Sequence, residues 1–208
     1  NPSQYLPFLE SVLTPGRFQH SLGVMQTMQQ LSKIYDLDED QALTAGLLHD
    51  AAKDLSPDQI DQIVSEAQIE FHHPSEYDYV LYLHGPVGAY YVQKELGIAD
   101  PAVIDAIYKH TWFGEWKNSE SPLVWCLRFS DILEPNRRWD HNAQKIKEGE
   151  PLLRQAAFAG YLEEAAYLHT DMIIKFNQDT NKPIHPNLYL DRENLTDRLK
   201  KSEKSAKG

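Results

Sequence analysis

The sequence predicts an all-α fold, and three observations carry that prediction. Apolar residues recur at helical spacing along most of the chain, cap-plus-proline signatures punctuate it, and no stretch shows convincing β-alternation. The expected architecture is a single helical bundle with a C-terminal helical extension. Residues 1–140 are read as the core with an N-terminal helix, 141–200 as helices packed on it, and 201–208 as a basic, solvated tail.

Taken in order, residues ~3–13 place Leu6, Leu9 and Leu13 at helical spacing. Thr14-Pro15 then supplies an N-cap and a proline at the first helical position of a long helix to about Tyr35. Its expected core stripe is Phe18, Leu22, Met25, Met28 and Leu31, with Arg17, His20 and Val24 on a neighbouring face. Asp38 caps a helix that runs through Leu48 to His49. Ser56-Pro57 starts another, with Ile60, Ile63 and Val64 inward. Phe71 to Leu83 reads as irregular, with His72-His73 as a solvated turn, and His84-Gly85-Pro86 reads as the opening of a helix that stops at Gly97. Asp100-Pro101 opens a helix to His110, Trp112 to Ser119 reads as a turn-rich loop, and Ser121-Pro122 opens a last core helix ending at Asp131 to Pro135. Residues ~151–178 form one or two further amphipathic helices.

Composition narrows the function. At 208 residues, with 41% hydrophobic and 25% charged residues, the chain suits one domain with a good core. A single cysteine, Cys126, set in an apolar run, excludes an intramolecular disulfide and points to a reducing cytoplasm and an inert thiol. No apolar stretch approaches membrane-spanning length, and the N-terminus lacks a signal pattern. The chain begins at Asn1 and not at Met, which leaves a trimmed leader open. A net charge of −11 argues against nucleic-acid or anionic-membrane partners, but not against a polyphosphate, since bound metal ions can invert the local field.

The chemistry centres on Leu48-His49-Asp50-Ala51-Ala52-Lys53. A buried helix that ends in an imidazole and a carboxylate is costly unless something compensates them, and a transition-metal ion is an economical answer. Metal-competent residues recur at helix ends or on inward faces at His20, His84, His110 and Asp131. The remaining histidines, His72, His73, His141, His169 and His185, are assigned no role, with His169 read as a core candidate. Six ligands exceed the needs of one tetrahedral zinc and suit two ions bridged by Asp50, with an acidified water between them as nucleophile. Mixed imidazole and carboxylate donors favour iron, manganese, cobalt or zinc over magnesium or calcium. Arg17, Lys53 and Arg137 are the cations placed to meet substrate phosphates, and Glu134, at i+3 from Asp131, is placed to orient a ligand or pin Arg137.

The ordered set Arg17-x-x-His20, His49-Asp50-x-x-Lys53, His84-Gly85, His110-Thr111 and Asp131-x-x-Glu134-Pro135-x-Arg137 resembles the HD-domain phosphohydrolases over residues 14–140. More narrowly, it is similar to their symmetrical diadenosine-tetraphosphate hydrolase branch. The resemblance implies a di-metal site with iron preferred, and cleavage of diadenosine tetraphosphate to two ADP. It implies that His20, His49, Asp50 and Asp131 hold one ion, and that His84 and His110 with the shared Asp50 hold the other. Asp50, Lys53 and Arg17 would carry catalysis, and Arg17, Lys53, Arg137, Thr111 and Trp112 would contact substrate. Two departures stand out: the bulky Trp112 to Lys117 stretch, in which Trp112 or Trp116 is a candidate base-stacking ring, and Ser130 in place of the family's alanine before Asp131. The expected partner is a nucleotide, with a homodimer left open. The alternatives are an HD phosphohydrolase for a mono-, triphosphate or cyclic dinucleotide, and a nucleotide-sensing module without turnover. A missing Gly-Tyr-Pro signature disfavours the cyclic-dinucleotide reading, and a complete ligand set disfavours the sensor.

Overall fold

A computed structural model describes residues 1–117 and 121–205. Among them the secondary structure is helical, with no strand. A 3₁₀ turn, Pro2–Tyr5, leads into α1 (Leu6–Val12), α2 (Pro15–Ile34), α3 (Glu39–Leu48), α4 (Pro57–Glu66) and a short α5 (Pro74–Asp78). There follow α6 (Val80–Leu96), α7 (Pro101–Lys109), α8 (Pro122–Leu133), α9 (Gln144–Phe158), α10 (Leu162–Asp179) and α11 (Pro186–Ser205).

The caps explain most of the boundaries. Asp38, Ser56, Asp100 and Ser121 each accept a backbone N–H of the first turn, and Ser56 completes a capping box with Gln59. Gly97 ends α6 in the left-handed region at φ 67°, where a side chain would be strained. Thr14 occupies the cap position of α2, but its side chain makes no capping bond. Its backbone N–H is held at 2.8 Å by Asp54 Oδ2, so α2 is tied to the turn that follows α3.

The centre is α3, whose Ala42, Ala45, Leu47 and Leu48 are all sealed from solvent against α2, α7 and α8. Each fully buried leucine contributes ~1.5–3 kcal/mol. The inward face of α2 is rotated from the expected stripe. His20, Ser21, Val24, Thr27, Met28 and Leu31 are buried, whereas Phe18, Leu22 and Met25 are only half-buried. Polar residues occupy that face because α2 faces the site, and apolar spacing alone misjudged it.

Three other expectations are corrected. The helix carrying His84 opens at Val80, with Pro86 inside it. Pro86 cannot donate to the carbonyl of Tyr82, and the Thr111 hydroxyl does so instead at 2.7 Å, which lets the helix continue. Residues 71–83 hold α5, capped by His73, so His73 is not a solvated turn residue. The helix α8 is not the last in the core, since α10 buries Ala165, Ala166 and Ile174 beyond it. α11 extends through Ser205 across much of the expected tail; residues 206–208, and residues 118 and 119 of the Trp112 loop, lie outside the described residues. Among the described residues no helix is long and apolar enough to cross a membrane.

Candidate metal centre

All six predicted ligands converge. His20 comes from the second turn of α2, His49 and Asp50 from the end of α3, and His84 from the second turn of α6. His110 is the C-cap of α7, and Asp131 lies near the end of α8. Among the described residues, two groups have donor atoms within 4.8 Å of one another: His20, His49 and Asp50, and Asp50, His84 and His110. Asp50 belongs to both, one oxygen to each. Its Oδ2 lies 3.9 Å from His20 Nε2 and 3.7 Å from His49 Nε2. Its Oδ1 lies 3.2 Å from His84 Nε2 and 3.9 Å from His110 Nε2. Asp131 Oδ1 closes the first group, 3.0 Å from His20 Nε2 and 3.9 Å from His49 Nε2.

The far side of each ring fixes which nitrogen faces inward. His49 Nδ1 donates to the Gly46 carbonyl at 2.8 Å, and His110 Nδ1 donates to that of Ile107. His20 Nδ1 donates to Glu134 at 3.2 Å. At His49 and His110 the carbonyl accepts from Nδ1–H, so Nε2 presents a bare lone pair to the centre, whereas His20 is hydrogen-bonded on both nitrogens, its Nε2 to Asp131. Glu134 is itself buried, and its other oxygen accepts the Asn136 N–H at 2.6 Å.

The centre fits a cation. His49 Nε2 is buried without a hydrogen-bond partner, an expense that a metal ion would remove. His84 and His110 bring their Nε2 atoms 2.8 Å apart, close enough to share one cation. Cationic side chains already reach into both halves. Lys53 Nζ lies 3.2 Å from Asp50 Oδ1 and 3.0 Å from His84 Nε2, and Arg137 lies 3.2 Å from His20 and 3.3 Å from Asp131.

Electrostatics set three of the four histidines as neutral donors. Burial pushes the His49 and His110 pKa values down and that of His84 to about 4, so all three are neutral donors at pH 7. Burial would also lower His20, but its bond to Asp131 and the charge of Asp131 outweigh this and raise it. For Asp50 and Asp131 burial opposes ionisation. Lys53 in the first case, and Arg137 in the second, hold the carboxyl well below its usual range.

The other predicted residues are placed as follows. Arg17 is at the rim, its Nε bonded to Asp54 at 2.7 Å, beside Lys53 in a side cavity. Thr111 lines the main cavity, but its hydroxyl is engaged by Tyr82. Trp112, 8% exposed, lines the same cavity and is held in place there: Nε1 donates to Asp191, the ring stacks on His169, and the Arg128 guanidinium lies over it. Trp116 Nε1 donates to the other Asp191 oxygen. The aromatic stretch that departs from the family pattern is thus anchored to α11. Trp112 also sits at φ 58°, a strained backbone costing about 1–3 kcal/mol that this anchoring maintains two residues after His110.

Sequence reasoning missed two things. One is the far wall of the main cavity, ~810 Å³, to which α9 and α10 contribute Ile146, Ile173, Phe176 and Asn177. The other is the buried Glu76. It accepts N–H groups of His72 and Gly114 and the ring of His185, joining α5, the Trp112 loop and the start of α11. Nothing in the sequence distinguishes Glu76 from a surface acid, because its donors come from distant segments.

A helical bundle with imidazoles and carboxylates converging in this order defines a class, and residues 17–136 match the HD domain family. The chain belongs to that family, whose fold is that of metal-dependent phosphohydrolases. It is 30% identical over 190 residues to the symmetrical bis(5'-nucleosyl)-tetraphosphatase of Halalkalibacterium halodurans, covering 89% of this chain and 92% of that protein. It is 28% identical over 194 residues to the enzyme of the same name from Bacillus subtilis, covering 91% and 95%. Among solved structures, a predicted HD superfamily hydrolase involved in NAD metabolism from Clostridium acetobutylicum superposes with a TM-score of 0.80 at 31% identity. That match covers 95% of this chain and 98% of the other.

Proposed function

We propose that the chain is a metal-dependent hydrolase that cleaves diadenosine tetraphosphate symmetrically into two molecules of ADP. The observation that carries this reading is the Asp50 bridge between two donor groups, in a chain similar over nearly its whole length to symmetrical tetraphosphatases.

In this reading His20, His49, Asp50 and Asp131 hold one ion, and Asp50, His84 and His110 hold the other. Iron is preferred, with manganese, cobalt or zinc compatible with the same donors. When bound, the ions supply charge neutralisation and an acidified water near neutral pH. The chain's own groups do the rest. Lys53, between Asp50 and His84, meets the oxygens of the central phosphates, and Arg137, beside Asp131, neutralises charge that develops as the bond breaks. Water adds to one central phosphorus. The P–O bond to the bridging oxygen breaks, and that oxygen departs with the electron pair as the terminal phosphate oxygen of the second ADP. Glu134 holds His20 in orientation, and Thr111 and Trp112 fix the backbone behind His110. The single buried thiol of Cys126 is in keeping with a reducing cytoplasm.

The test is chromatography of the products formed from diadenosine tetraphosphate with a divalent metal. ADP as sole nucleotide product supports the reading; ATP plus AMP, or no turnover with any metal, rejects it. Nucleotide binding without turnover would instead favour a sensor.

A further inference from the structure

A symmetrical cut constrains the shape of the site. The scissile bond lies midway along the substrate, so a complete nucleoside diphosphate must extend on each side of the centre. The main cavity accounts for one half. A second cavity of ~240 Å³ adjoins it, and Lys53, Tyr79, Leu81 and His84 line both, forming the partition between them.

The smaller cavity has the lining a base requires. Ala52, Ile60, Leu83 and Val87 give it apolar walls, and Val80 and Leu81 stand at its edge. Val80 is 62% exposed and Leu81 38%, an apolar rim beside a polar centre. Cations are divided in the same way. Arg17 lines the small cavity and not the large one, Arg137 and Arg138 line the large one and not the small, and Lys53 serves both. Asp54 grips the Nε of Arg17 at 2.7 Å, which steadies the guanidinium and leaves its terminal nitrogens for phosphate oxygens. Positive charge in the middle, with an apolar recess at either end, complements a polyphosphate capped by two nucleosides.

We propose that the cavity between α4 and α6, beside Arg17, is the seat of the second nucleoside of the substrate, with Arg17 on that half's phosphates. This assignment rests on the symmetrical-cleavage reading and adds to it a specificity determinant for substrates with two nucleosides.

The test compares diadenosine tetraphosphate with adenosine 5'-tetraphosphate, which has the same four phosphates and one nucleoside. Val80→Trp fills the cavity from an exposed position, and Ile60→Trp fills it from the α4 wall. For both variants, with melting temperature checked, KM for diadenosine tetraphosphate rises tenfold or more while KM for adenosine tetraphosphate moves less than threefold. Calorimetric titration of ADP gives two bound per chain in the wild type and one in Val80→Trp. Equal effects on both substrates, no effect on either in a folded variant, or unchanged ADP stoichiometry overturns the assignment. A wild-type protein that cleaves neither compound overturns the reaction itself, a distinct result.

Discussion

Gly23 ties the stability of α2 to the metal centre. An alanine at an ordinary helical glycine stabilises by about 0.5–1 kcal/mol, because it restricts the unfolded chain and suits the helix. At Gly23 a Cβ would overlap Glu134 Oε2 and lie 3.0 Å from its Cδ and 3.3 Å from its Cβ. A free glutamate would swing away. This one is buried, and its carboxylate holds both the Asn136 N–H and His20 Nδ1. Displacing it costs about 1–3 kcal/mol of overpacking, and losing a charge-assisted hydrogen bond costs about 1.5–3 kcal/mol. Net of the helix gain, Gly23→Ala should destabilise by about 2–5 kcal/mol, a fall in Tm of roughly 5–15 °C for a chain of this size. Misorienting His20 should also weaken metal retention about 10–100-fold. Calorimetric melting and elemental analysis of dialysed protein measure both. A variant as stable as the wild type or more so, with unchanged metal content, would refute the reasoning.

Further outcomes follow from the same geometry. Thr111→Val leaves the Tyr82 carbonyl without the donor that replaces Pro86 and should cost about 1–3 kcal/mol by denaturant titration; no change would mean that another group satisfies it. Lys53→Met should lower kcat/KM about 10²-fold or more with the fold intact, as for other removed charge-stabilising donors, whereas near-wild-type kinetics would remove Lys53 from the chemistry. Burial, helped by Arg128, pushes the His169 pKa to about 3, so the folded state binds fewer protons than the unfolded state below pH ~6.5. Its contribution is therefore complete above pH ~6.5 and is lost as pH falls toward ~3. Between pH 5.5 and 4, wild type should lose about 1.4 kcal/mol per pH unit more than His169→Phe, and parallel urea-stability curves would contradict this.

The sequence made the converging candidate ligands legible because each metal-competent residue stood where a helix period turned inward or a helix ended. His49-Asp50 closes an apolar helix, His110 ends another, and Asp131 precedes the proline that stops a third. Caps were legible for the same local reason: Asp38, Ser56, Asp100 and Ser121 act on backbone within three residues. Long-range polar contacts were not legible. Pro86 read as a helix start because its repair comes from Thr111, on another element. The anchoring of Trp112 was not legible because its partners, Asp191 and His169, lie in the C-terminal third. The role of that third was not legible because α11 is mostly polar, with Leu188 and Leu195 as its buried apolar anchors and Asp191 and Asn187 fastening it to the Trp112 loop.

The most direct measurement is metal content per chain, for protein purified anaerobically without chelator and for Asp50→Ala, with circular dichroism to confirm that both are folded. Two donor groups sharing one carboxylate predict about two divalent transition-metal ions per wild-type chain and well under one in the variant. Equal metal content in the two proteins, or full hydrolase activity in a wild type free of metal, would contradict the account.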